Sequence, residues 1–195
     1  MGIKDMIFGN KKEPLNKKIL ELRNKAVHRA SEQSNQLKIV KETEAKRIAA
    51  MTGLLSKDHH PAHFVDTAML LLSYPPELAY VIALYLDDFK YQLGFNPHGT
   101  TMVAVTQIDS LYQGGMVVRW SSLKERPELE EIISNRSVRI EKAGKFLAAS
   151  IIIASETIDG ARMIYHNNTF DPSVKAVLDA ELKKYDQEVA KEIIK

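Results

Sequence analysis

Three of the six histidines, His59, His60 and His63, stand close together and are followed by Asp66. On a helix, His59 and His63 are four apart and His63 and Asp66 three apart, spacings that bring side chains together on one face. Three imidazoles and a carboxylate form a donor set suited to Zn²⁺ or a comparable divalent ion. Pro61 lies inside the cluster, so His59 and His60 fall before the helix starts. The H-E-x-x-H arrangement, which would add a general base, is absent. A metal-dependent enzyme centred on His59, His60, His63 and Asp66 is one reading. A polar loop at a helix start accounts for the same residues.

A second candidate is Asp87-Asp88, an acidic pair in an otherwise apolar stretch. Neighbouring residues point about 100° apart on a helix, so at most one of the two faces a core. A buried Asp there could do acid–base work or pair with Arg119, Arg139 or Arg162. The chain has no Walker loop, dinucleotide fingerprint or nucleophile elbow. It has no cysteine, which excludes disulfides, thiolate metal sites and thiol nucleophiles. No cofactor is implied.

The third candidate is electrostatic. Net charge is +2, but residues 1–57 hold 13 Lys/Arg against 6 Asp/Glu, and residues 58–195 hold 14 against 19. Lys17, Lys18, Arg23, Lys25, Arg29, Lys38, Lys41, Lys46 and Arg47 are spread over several helical faces of the basic part. Such a segment can neutralise phosphates, the chemistry of an accessory protein that binds nucleic acid. Few aromatics accompany these cations, so base stacking and sequence specificity are not expected. A solvated helix paired with the protein's own acidic surface is the competing account.

The elements that position these groups are helical. Leu15, Ile19, Leu22, Ala26, Ala30, Gln33, Leu37, Val40, Glu44, Ile48, Met51 and Leu55 recur every three or four residues, the period of a straight α-helix. The stretch 14–57 therefore reads as one long basic helix, or as two broken near Ser31–Ser34. Before it, residues 1–13 read as a flexible or amphipathic peptide, with peripheral membrane contact through Met1–Lys12 as an alternative. Residues 58–195 read as a compact helical body. Within it, the spacing predicts helices over 62–73, 77–93, 128–134, 138–166 and 172–193. Two of these, 77–93 and 138–166, carry the apolar character of central helices. Ala143, Gly144 and Ala148 would let a neighbouring helix approach closely. Residues 100–120 fit a helix or a small hairpin.

The fold class expected is mainly α, a bundle of about six or seven helices with a long N-terminal helix. The alternative is α+β, with a small hairpin around 100–120. No apolar run approaches the roughly 18 residues of a membrane span, and a cytoplasmic location is expected. A 44-residue helix would be about 66 Å long, more than the ~40 Å diameter of a compact domain of this size. Leu37, Val40, Ile48, Met51 and Leu55 would then need cover from another chain. The leading expectation is a non-enzymatic helical interaction and assembly protein, oligomeric or part of a larger complex. Protein partners or self-association fit it best, with nucleic acid as the alternative.

Overall fold

The computed structural model of the protein describes residues 3–37, 69–83 and 127–195. It is mainly helical, a bundle with a long N-terminal helix, and no strand occurs among the described residues. The helices are α1 (Ile3–Leu37), α2 (Pro127–Ser134), α3 (Arg136–Ala154), α4 (Ile158–His166), α5 (Pro172–Tyr185) and α6 (Gln187–Ile194). A further segment, 69–83, is helical at 69–72 and 76–83 and turns at 73–75, just before Pro76. The choice between helix and hairpin at 100–120 lies outside the described residues.

The central helix is α3. Every residue from Phe146 to Ile153 is buried. A helix apolar on all sides must be surrounded, and α1, α2, α4 and α5 all pack on it. The hydroxyl within this stretch and the one at the helix's C-cap both turn back to helix carbonyls. Ser150 Oγ donates to the Phe146 carbonyl at 2.8 Å, and Ser155 Oγ to the Ile151 carbonyl at 2.6 Å. The most extensive contact of α3 is with α5. Gly144 makes it possible: a Cβ there would stand 2.5 Å from Val177 Cγ1 and 3.0 Å from the Leu178 backbone nitrogen. Of the small residues expected to allow close approach, Gly144 does so at this helix pair.

The first half of the predicted stripe seats α1 on this body. Ile19, Ala26 and Ala30 are fully buried, and Leu15 and Leu22 pack against the core. The helix passes through Ser31–Ser34 without a break and runs to Leu37. It also begins before Pro14, which lies inside it. Proline there deprives the Asn10 carbonyl of its helical partner, a local cost of about 3 kcal/mol in an isolated helix. Tertiary ties flank that turn. Lys12 Nζ meets the Asp159 carboxylate at 2.9 Å, and Asn16 Oδ1 accepts the Ile158 N–H at 2.9 Å.

Two helices read as continuous from their periodicity are each divided. The 138–166 helix ends at Ala154 and restarts at Ile158, with Ser155 and Thr157 extended between. Thr157 Oγ1 accepts the Gly160 N–H at 3.1 Å. From α1, Asn16 caps the start of α4, and Arg23 Nε donates to the Ile153 carbonyl at 2.9 Å at the end of α3. Helix ends leave unpaired N–H and C=O groups, and α1 supplies partners for both sides of this corner. The 172–193 helix divides at Asp186, whose Oδ1 accepts the N–H groups of Glu188 (2.9 Å) and Val189 (3.0 Å). The division lets α6 fold back onto α4 and α1.

Candidate functional site

Where α1 passes the turn before Pro76 and the C-terminal end of α5, a half-open cleft of about 320 Å³ forms. Leu22, Ala26 and Pro76 give it an apolar wall. Lys25 and Arg29 enter from α1, Lys145 from α3, and Lys184 and Tyr185 from α5. Glu77 and Glu181 are the acidic groups among its described lining.

Each of these side chains is placed by local sequence. Pro76 opens the helical run 76–83, and its ring suits a first helical position where no N–H is needed. Glu77 follows in the first turn, where a carboxylate is favoured by the helix dipole. It is only 8% exposed. Its Oε1 accepts the Tyr185 hydroxyl at 3.1 Å and lies 3.8 Å from Arg29 Nη1. Burial, and then the Glu77 carboxylate, push the Tyr185 phenol above its ordinary range, so Tyr185 is a neutral donor. Lys25 and Arg29 are four apart on α1 and therefore share a face. At the rim, Lys184 is paired with Glu181, and Lys145 with Glu141. The Lys145 hydrogen bond is also what holds the Glu141 carboxyl below its usual value. Lys25 has no acidic partner among the described residues.

The structure separates the basic residues singled out from sequence. Lys17 is exposed, and Lys25 and Arg29 line the cleft. Lys18 is turned to the body, bonded to Glu188 and 3.8 Å from Asp186. The bond to Glu188 raises its pKa. Arg23 is spent on the Ile153 carbonyl. Lys38, Lys41, Lys46 and Arg47 lie outside the described residues. So do His59, His60, His63 and Asp66, the acidic pair Asp87-Asp88, and the interface candidates Val40, Ile48, Met51 and Leu55. Leu37 is the last residue of α1. Among the described residues, no group of three or more His, Asp or Glu side chains is placed to hold a metal.

Two of the arginines proposed as partners for Asp87 or Asp88 make contacts among the described residues. Arg139 donates to the Ile133 carbonyl and, at 3.4 Å, to the Ile132 carbonyl, closing the end of α2. Arg162 joins α4 to α6, with Nε 2.9 Å from the Glu192 carbonyl oxygen and Nη2 3.2 Å from Glu192 Oε2.

Sequence reasoning missed Glu77, Lys145, Lys184 and Tyr185 as a group. Tyr185 sits on the apolar stripe of its helix, where its hydroxyl gives no periodic signal. Glu77 was legible only as a polar residue just after Pro75-Pro76 at the head of an apolar helix.

Comparison of the chain with family models, with curated proteins and with solved structures found no match to any of them. No helix among the described residues is long and apolar enough to cross a membrane.

Proposed function

We propose that this protein is a non-enzymatic helical interaction and assembly protein that self-associates through the outward face of α1. The observation that carries the reading is on that face. Leu20 and Val27, seven residues and so two turns apart, are 39% and 40% exposed. At 1.5 Å per residue, α1 is about 50 Å long, more than the ~40 Å diameter of a compact domain of this size. From Leu15 to Ala30 its inward stripe is covered by the body, so the contact uses another face. A cytoplasmic location belongs to the same proposal.

The test is molar mass by light scattering over a range of concentrations, for the wild type and for a Leu20→Glu/Val27→Glu variant. The expected result is an oligomer that dissociates in the variant while helix content by circular dichroism stays the same. A wild type that is monomeric at high concentration would sink self-assembly.

Binding to nucleic acid by the basic segment has less support, because Lys18 and Arg23 engage the protein itself. Steep loss of DNA or RNA binding with salt would revive it. A metal-dependent activity rests on His59, His60, His63 and Asp66, and elemental analysis of untagged protein decides it.

A further inference from the structure

We propose that the cleft between α1, the turn before Pro76 and the end of α5 binds a compact, phosphate-bearing small molecule. Its volume of about 320 Å³ falls at the lower end of the range for small-ligand sites. The cleft is cationic, with four Lys and Arg side chains in its described lining against Glu77 and Glu181. Lys184 and Lys145 are held by Glu181 and Glu141, and Arg29 lies against Glu77, so the uncompensated charge sits on Lys25.

Glu77 does not defeat an anion here. It is nearly buried, it accepts the Tyr185 hydroxyl, and it stands against one edge of the Arg29 guanidinium. That contact steadies Arg29 and leaves other N–H donors of its planar fork for a ligand. A fork and an ammonium one turn apart match the several acceptor oxygens and double charge of a phosphate better than a single carboxylate. The apolar wall of Leu22, Ala26 and Pro76 suits the organic part of such a molecule. This inference does not rest on the assembly proposal.

The test is isothermal titration of the full chain with inorganic pyrophosphate, with sodium chloride added to keep ionic strength constant. A duplex oligonucleotide is titrated in parallel. Saturable one-to-one binding of pyrophosphate is expected, weakened about tenfold or more by Lys25→Gln and by Arg29→Gln. Both residues are at the surface, so the fold should survive, and circular dichroism checks it. Lys17→Gln, on the same helix but outside the cleft, should leave the affinity unchanged. Absence of binding at millimolar pyrophosphate overturns the proposal. So does equal weakening by Lys17→Gln, or oligonucleotide binding lost equally in all three variants, since either result assigns the effect to the charge of the whole helix. Light scattering in the same buffer keeps the two proposals apart: a monomer that binds pyrophosphate ends self-assembly and leaves this site standing.

Discussion

The contact between α3 and α5 and the seat of α1 are both helix-on-helix, yet they are held differently. Between α3 and α5 the decisive feature is shape. Gly144 lets the two backbones come so close that a single added methyl would meet both Val177 and the Leu178 backbone. Beneath α1 the apolar stripe is thinner, with Ala26 and Ala30 among its three fully buried positions. Polar ties along its edges supplement it: Lys12 to Asp159, Asn16 to Ile158, Lys18 to Glu188 and Arg23 to Ile153. A shape-locked contact is intolerant of added volume. A contact fastened by separate polar ties loses stability in smaller steps.

The largest effect expected is on the central helix α3. Phe146 is 1% exposed, and Phe146→Ala should cost about 3–5 kcal/mol in chemical denaturation. A loss below about 1 kcal/mol would mean that the site is not packed as described. Gly144→Ala comes next. Alanine is the better helix former by about 1 kcal/mol, but the clash with Val177 and the Leu178 backbone should outweigh that and leave a net loss of roughly 1–3 kcal/mol. A stabilised Gly144→Ala protein would break the contrast between the two contacts.

On the α1 side, Arg23→Met keeps most of the packing volume and removes the donor to Ile153. We expect a loss of about 1–2 kcal/mol, with hydrogen exchange accelerated at the α3–α4 corner and unchanged along α5. Faster exchange throughout the body would show that α1 is not fastened locally. Asn16→Ala, which removes the cap from Ile158, should cost about 1 kcal/mol and act on the same corner.

Tyr185→Phe probes the cleft and should shift stability by about 1 kcal/mol at neutral pH. Its clearer signature is alkaline. The folded-state pKa of Tyr185 is raised above the ordinary value of 10.0, so the neutral phenol is favoured in the folded protein. The stability it contributes is therefore complete below about pH 10 and is lost as pH rises further. Denaturation across that range should fall more steeply for the wild type than for Tyr185→Phe, and parallel curves would contradict the burial of this phenol. The smallest effect belongs to Lys12→Ala. Its pair with Asp159 is more than half exposed on both sides, and the loss should stay under about 1 kcal/mol and shrink further in salt.

Much of the helical architecture was legible in the residues. The stripe from Leu15 to Ala30 reads as one buried face and is one. The helix predicted over 138–166 reads as central, and α3 is buried at every position from Phe146 to Ile153. The helix predicted from 172 starts at Pro172, and Asp171 Oδ1 caps it by accepting the Ser173 N–H at 2.8 Å. The candidate cleft was much less legible. Lys25 and Arg29 stood among nine basic residues with nothing local to distinguish them from Lys18 or Arg23. Glu77 and Tyr185 are 108 positions apart in sequence, a separation that no local pattern spans.

Periodicity, caps and small residues depend on neighbours a few positions away, and the sequence by itself determined them: helices, their buried faces, and the place where two could touch closely. Where a helix ends despite unbroken periodicity was decided by tertiary structure. Thr157 and Asp186 cap locally, but Asn16 and Arg23 reach in from α1 to pair the groups exposed at the α3–α4 corner. The fate of each lysine and arginine was decided there too. A cation's partner is the nearest carboxylate or carbonyl in space, and only the folded chain sets which one that is.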